Sequence, residues 1–290
     1  DLVRGPASFH MSNLSDPVLL REDGRVIYTL ASVVDDIDHG ITTILRGEDH
    51  VTNSAAQIQL FEALGATAPQ IGHLALLSGA DGEGLSKRLR SLSIEQLRNE
   101  SREPLAICSL LAKIGTSDPI SAFSSMDEII AGFDIGKFGR ATARFNPDEL
   151  TQINARITQT LDYNEVEDRL QAAGLTGSDA GFWMLVRGNI SYVEEARKWW
   201  DICHQPVVPV INDDKVVAAA LDLMPDGTIT NKTWSVLTKA VGARTGEKGR
   251  GLFMPLRQAI TGETAGPDMG DLLPYIGREK VLARLAGETA

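Results

Sequence analysis

Through the first 90 residues apolar side chains come in short runs separated by turn signals, and after Ser91 they recur at three- and four-residue spacing. In the first stretch Val26 to Leu30 and Thr42 to Leu45 are rich in β-branched residues and predict strands, as does the apolar run Leu74 to Leu77 before Ser78-Gly79. Between the last two, Ala55, Ile58, Leu60, Phe61 and Leu64 predict a helix that ends at Gly65. Strand, helix, strand at this spacing is the pattern of a parallel βαβ crossover. Beyond Ser91 the start signals favour helices. Ser93 with Gln96 forms a capping box, and Asn146, Pro147 and Glu149 supply a cap, a first-turn proline and an acid, ahead of an apolar face of Leu150, Ile153, Ile157 and Leu161. Asn164 with Glu167 opens a further helix closed by Gly174, and helices are expected over 191–202, 232–241, 252–261 and 278–285.

The expected architecture is therefore α/β, the second half of a Rossmann-like domain, followed by all-α domains. Its expected divisions are residues 1–90, 91–145 and 146–290. A hydrophobic content of 43% over 290 residues is enough for real cores and argues against disorder. No apolar stretch approaches the ~20 residues of a membrane span; the longest, Val216 to Leu223, is interrupted by Asp222. The chain opens Asp-Leu-Val-Arg-Gly-Pro, with no initiator methionine and no apolar h-region, which reads as a start inside a longer protein rather than a secretory signal. Cys108 and Cys203 sit far apart on helix-like stretches, the usage of reduced core thiols in a cytoplasmic setting, and no Cys/His spacing suits zinc.

The formal net charge of −11 excludes indiscriminate binding to nucleic acid, since phosphate attraction needs cations. Two local segments run the other way. Lys239, Arg244, Lys248, Arg250 and Arg257 face the single acid Glu247, and Lys87, Arg88, Arg90, Arg98 and Arg102 outnumber Glu95 and Glu100. Solvated helix faces would produce the same pattern. Ser86-Lys87-Arg88 in a glycine-containing loop is by itself a weak signal, and the spacing of a P-loop is absent.

Taken in order, Tyr28-Thr-Leu-Ala-Ser-Val-Val-Asp-Asp36, His39-Gly40, Arg46-Gly-Glu-Asp-His50, His73, Leu76-Leu77, Gly84-Leu-Ser-Lys-Arg88 and Lys248-Gly-Arg-Gly-Leu-Phe-Met-Pro-Leu-Arg257 resemble the glutamyl branch of the class I aminoacyl-tRNA synthetases. The resemblance implies ATP-dependent activation of L-glutamate to glutamyl-adenylate, then transfer to the 3′ end of tRNA(Glu), with tRNA(Gln) as a second candidate acceptor. Such chemistry rests on positioning and charge neutralisation. The implied roles are Lys87 as the catalytic loop lysine; Asp49, Leu76, Leu77, Ser86, Lys87 and Arg88 at ATP, which enters with Mg2+ as substrate; and Tyr28, Ser32, Arg46 and His50 at glutamate. The Arg46 guanidinium suits bidentate recognition of a carboxylate. Asp35 and Asp36 are left between a tRNA contact and a cap. Lys248, Arg250 and Arg257 are implied at tRNA phosphates.

Two departures stand out. Gly84 replaces the first lysine of the family loop, and Ser32 stands where some relatives carry Asn. The five histidines, at 10, 39, 50, 73 and 204, never form the family's upstream His-x-Gly-His signature, so the expectation is a monomeric, soluble piece of a longer ligase, inactive alone. The alternatives are a non-catalytic tRNA-binding module, a glutaminyl-type enzyme, which would carry a β-barrel instead of helices after Asn146, and a tRNA-modifying paralogue, which would lack the helical domain.

Overall fold

The computed structural model describes residues 1–79, 82 and 93–290. Contacts divide the chain into two compact units, Asp1–Ile153 and Asn154–Ala290.

The first unit is built on α1 (Tyr28–Asp38), β1 (Thr43–Gly47), α2 (Val51–Ala63) and β2 (Gln70–Leu74). Strands β1 and β2 pair in parallel, Thr43 opposite Gln70 through Gly47 opposite Leu74, which makes β1–α2–β2 the crossover unit expected from the pattern. A second short parallel pair joins β3 (Leu77–Ser78) to β4 (Ala143–Arg144). Leu74 to Leu77 is thus split: the run ends one strand and begins another. The expected strand over Val26 to Leu30 is a correction. Only Val26 bridges, to Leu20, and Tyr28 already starts α1. The β-branched composition misled here because Leu30, Val33, Val34 and Ile37 continue at helical spacing, and Val33 is fully buried.

Helix α2 also turns a different face inward. Ser54, Gln57 and Phe61 are buried, while Ile58 and Leu64 are exposed. That rotation places two polar side chains in the interior, where each must find a partner.

Among the described residues three short helices follow in this unit: α3 (Ile94–Asn99), α4 (Pro104–Leu111) and α5 (Met126–Ala131). Ser93 caps α3 by accepting from Gln96 N–H at 3.1 Å, but the Gln96 side chain turns to Glu100 rather than back to the cap. After α3 the chain reverses through Ser101, whose φ is +57°. Ser101 and Arg102 N–H donate to the carbonyls of Arg98 and Leu97, closing the helix end. A side chain is disfavoured in this left-handed conformation, so Ser101→Gly is expected to stabilise the first unit by about 0.5–1 kcal/mol, read as a shift in urea midpoint.

Helix α6 (Pro147–Thr158) opens as its cap predicts, with Asn146 Oδ1 accepting from Asp148 N–H, and buries Leu150, Ile153 and Ile157. The second unit then runs α7 (Tyr163–Ala172), α8 (Ala180–Val186), α9 (Ala196–His204), α10 (Asp214–Asp222), α11 (Thr233–Thr245), α12 (Arg250–Thr261), α13 (Met269–Ile276) and α14 (Arg278–Leu285). The start of α7 corrects the sequence reading: Asp162 is the cap, its N–H donating to Glu165 at 2.7 Å, two positions before Asn164. Val166, Leu170, Phe182, Trp183, Leu237, Leu256, Leu272 and Val281 belong to one buried core. Within it lies the fully buried Arg284, which donates to Ile260 O at 2.9 Å, Ile202 O at 2.9 Å, Gln205 O at 3.1 Å and Ala290 O at 2.7 Å. Lys280, one turn earlier, donates to Cys203 O at 2.8 Å. Two cations on α14 therefore satisfy the last carbonyls of α9 and α12.

Among the described residues no helix is long and apolar enough to cross a membrane, and no cluster of three or more His, Cys, Asp or Glu could hold a metal.

Candidate functional site

In open α/β sheets, ligands collect beyond the carboxyl ends of parallel strands. Here β1 ends at Arg46-Gly47 and β2 at His73-Leu74, side by side in the register. Arg46 stands at the centre of a polar network. Its Nη2 donates to Ser54 Oγ and, at 2.7 Å, to Gln57 Oε1, and its Nε points to His73 Nε2 at 3.4 Å. Gln57 Nε2 donates to Ser32 Oγ on α1 at 2.7 Å. Ser54 Oγ lies 2.7 Å from His73 Nε2, and His73 Nδ1 contacts the Asp1 carboxylate. The described residues supply no partner for Arg46 Nη1. The network thus fixes the guanidinium on one side and leaves the other nitrogen, with two N–H groups, to take an anion.

The pKa of His73 is held below its ordinary value, first by burial and then by the positive charges of Arg46 and Arg4. A hydrogen bond to the His50 backbone pulls the other way, but Arg46 has only donors to offer, so Nε2 must be unprotonated to receive Nε–H while Nδ1 faces the Asp1 carboxylate. A neutral ring with its proton on Nδ1 fits both neighbours. The sign of the linkage follows. A histidine depressed in the folded state binds its proton more readily when unfolded, so stability is full above the unfolded value of about 6.5 and is lost as pH falls toward the folded value. Urea midpoints of the first unit should fall between pH 7.5 and pH 5.5, and His73→Gln should flatten that slope.

Tyr28 and Ser32 sit one turn apart on α1. The Tyr28 ring meets the His50 ring edge-on, with centroids 5.8 Å apart, and Ser54 Oγ also approaches His50 O at 3.2 Å. Contacts thus run from Tyr28 through His50, Ser54, Arg46 and Gln57 to Ser32. Buried Nδ1 of His50 has no hydrogen-bond partner among the described residues. Next to them Gly47 marks a close approach: an added Cβ would run into Asp49 Oδ1 and lie 2.9 Å from Leu76 Cδ2. Asp49 and Leu76 thus share one spot at the end of β1, with Leu77 following in β3. Asp35 and Asp36 lie in the last turn of α1, an end where acids do not cap. Ser86, Lys87 and Arg88 lie outside the described residues.

Sequence reasoning passed over Ser54 and Gln57 as binding-site residues and left His73, like His39 and His50, between a structural histidine and a ligand. Their one sequence signal is the Ser54-x-x-Gln57 spacing, which sets two polar groups on the face that also carries Phe61.

The cations of the second unit are placed unequally. Lys248 and Arg250 are exposed at the start of α12, beside the exposed Phe253 and an open concavity lined by Ser235, Lys239, Lys248 and Phe253. Arg257 is half-buried. Its Nη2 donates to Pro267 O at 2.9 Å, its Nη1 is buried without a partner, and burial lowers its pKa against the opposing pull of Asp268.

A parallel βαβ unit with a polar circuit beyond its strand ends, and a second unit made only of helices, define a Rossmann-like α/β domain followed by an all-α domain. The model of the catalytic domain of class I tRNA synthetases (E and Q) matches residues 1–152, just over half of the chain, and the chain belongs to that family. The model of an anticodon binding domain matches residues 212–287. The chain is 51% identical to glutamate–tRNA ligase 1 of Maricaulis maris, with 100% of this chain and 65% of that protein covered. It is 50% identical to the glutamate–tRNA ligase of Azospirillum brasilense over the same shares. It therefore spans about two thirds of the length of these relatives. A solved structure of a glutamate tRNA ligase from Elizabethkingia meningosepticum, in complex with its amino acid, superposes with a TM-score of 0.79 over 99% of this chain and 64% of that one, at 23% identity, a likeness of fold.

Proposed function

We propose that the full-length protein is a glutamate–tRNA ligase, which activates L-glutamate with ATP and passes the glutamyl group to the 3′ end of tRNA(Glu), with tRNA(Gln) as a second acceptor to be tested. The observation that carries this reading is Arg46, anchored on Ser54, Gln57 and His73 with Nη1 left over at the strand ends. A guanidinium held in this way neutralises a substrate carboxylate without reorganising at the moment of binding. Tyr28, Ser32 and His50 complete the amino-acid pocket, and Asp49, Leu76 and Leu77 take the nucleoside end of ATP, which enters with Mg2+ as substrate. Ser86, Lys87 and Arg88 are assigned to the phosphates by the family resemblance, with Lys87 offsetting the charge that develops on departing pyrophosphate. The residues on either side of Ser91 are assigned to separate catalytic and stem-contacting parts, and those from Asn146 to the anticodon-binding part. The protein is assigned to the cytoplasm as a monomer. Charging of tRNA(Glu) and tRNA(Gln) transcripts with labelled glutamate tests the reading; no charging of either would end it.

The exposed Lys248 and Arg250 are assigned to tRNA phosphates, with Arg257 beside them. Each phosphate contact releases condensed counterions. Lys248→Ala and Arg250→Ala should each weaken tRNA binding and flatten its log–log dependence on salt by about one unit, with base preference unchanged. Arg257→Ala should combine lost affinity with lost stability, because one of its nitrogens holds the Pro267 carbonyl. Titrations at several salt concentrations decide it: an unchanged slope for both exposed cations would move the docking surface elsewhere.

A further inference from the structure

Arg46 and His73 are direct partners in the register of the parallel pair, so β1 and β2 deliver both side chains to one face. Behind them Asp1 is fixed as an acceptor. Its Oδ1 receives the N–H groups of Val3 at 2.9 Å, Arg4 at 2.8 Å and His73 at 3.3 Å, and its Oδ2 faces the ring Nδ1. A carboxylate in that place keeps the ring proton on Nδ1 and leaves Nε2 as an acceptor. Nε2 then receives Ser54 O–H at 2.7 Å, and the Ser54 oxygen receives Arg46 Nη2–H. Ser54 has a second place for its proton, the His50 carbonyl at 3.2 Å. When Nε2 takes up a proton the first of these bonds reverses: the ring donates to Ser54, Ser54 turns to His50, and Arg46 Nε, 3.4 Å away, faces an N–H instead of a lone pair. Two cations then stand side by side. His73 is 3% exposed, yet with Asp1, Ser54 and Phe9 it lines a cavity of about 130 Å3, room for water to carry the proton.

We infer that His73 is a positioning residue: its neutral Nδ1–H form, set by Asp1, holds Arg46 in the pose that receives the substrate anion, and a proton on Nε2 releases it. The inference rests on the proposed activation of glutamate, and concerns when the pocket is competent rather than which amino acid it prefers. The groups around the ring fix the sign. Burial, then Arg46, Arg4 and, in this chain, the Asp1 amino group hold its pKa below the ordinary 6.5, against a hydrogen bond to the His50 backbone. The Asp1 carboxylate stands at Nδ1, Glu48 is paired with Arg4 at 2.7 Å, and α2 contributes the uncharged Ser54. The pocket is therefore competent at neutral pH and fails on the acid side.

The test uses the full-length protein, with kcat and KM for glutamate and KM for ATP followed by ATP–pyrophosphate exchange in the presence of tRNA from pH 8 to pH 5. The side chain of free glutamate titrates at about 4.3, outside this range. In wild type, glutamate kcat/KM is expected to fall by up to about tenfold per pH unit on the acid side, chiefly through KM, with KM for ATP level. His73→Leu should raise glutamate KM about 10- to 100-fold at pH 7.5, the scale of a lost hydrogen bond to a charged group. His73→Gln, whose amide oxygen accepts at the Nε2 position and does not titrate, should recover most of that loss and carry no acid limb. Arg4→Met removes a positive charge that faces the ring and frees Glu48, so the limb should move to higher pH. A histidine that only filled the core would shift KM for ATP together with that for glutamate, and its variants would keep the wild-type pH dependence. Should the His73 variants fail to fold, wild type and Arg4→Met decide. With wild type active on glutamate at pH 7.5, three results overturn this inference alone: a wild-type profile with no acid limb, a limb that survives in His73→Gln, as it would if the His50 ring were titrating, and a limb that Arg4→Met leaves in place. A wild type inactive on glutamate at pH 7.5 overturns the proposed function as well.

Discussion

Arg284→Met is expected to destabilise the second unit by about 3–5 kcal/mol, a large part of the ~5–15 kcal/mol that holds a typical domain together. Replacing a buried ion pair by apolar residues is often harmless, because both charges leave at once. That escape is closed here. The partners of Arg284 are backbone carbonyls of Ile202, Gln205, Ile260 and Ala290, which no substitution removes. A methionine of similar length would fill the space but leave those acceptors in a dry interior, among the ends of α9 and α12, where the helix dipoles are negative. Arg284→Lys should fall between, since one ammonium cannot span the same fan of acceptors. All four tryptophans, at 183, 199, 200 and 234, lie in the second unit, so tryptophan fluorescence in urea reports this unit specifically. A loss below about 1 kcal/mol would mean that the carbonyls find water, and that the buried guanidinium is not what closes this core.

The second large effect falls on activity. In the full-length protein Arg46→Met should lower kcat/KM for glutamate by about 100- to 1000-fold, mainly through KM, because a substrate carboxylate would be desolvated with no charge opposite it. Arg46→Lys should recover little. Lysine keeps the charge but cannot reach Ser54, Gln57 and His73 together while still offering donors outward. Lys87→Ala should show the opposite balance, with kcat falling more than KM rises, as expected for a contact that strengthens while pyrophosphate leaves. The same mild change in all three would remove the roles assigned to Arg46 and Lys87.

How far the sequence could be read depended on the range of the forces involved. The β1–α2–β2 crossover was legible because β-branched runs, the helix between them and Gly65 are local signals. Helix α14 was legible to the residue. The beginning of α1 was not, because Val26 to Tyr28 carry strand-like side chains, whereas Val26 makes a single bridge to Leu20 and the apolar positions that follow keep helical spacing. In the candidate site, Tyr28, Ser32, Arg46, Asp49 and His50 were singled out through ordered motifs that resemble a family. Gln57 and Ser54 were not. A polar residue on a helix looks solvated until the strand opposite it is known, and only burial reveals that Gln57 fixes Arg46. Arg284 was hidden in the same way, since a cation on a charged C-terminal helix reads as surface. The grouping of Lys248, Arg250 and Arg257 reflected sequence distance, whereas about two turns of α12 separate the exposed Arg250 from the half-buried Arg257, and Lys248 precedes the helix.

The most direct test of the central claim is the amino-acid dependence of ATP–pyrophosphate exchange by the full-length wild-type protein in the presence of tRNA. The account predicts exchange that saturates with L-glutamate and is far weaker with L-glutamine and L-aspartate, since an anchored Arg46 offers donors to a carboxylate set at one chain length. Exchange that runs equally well with glutamine, or that does not depend on glutamate at all, would contradict it.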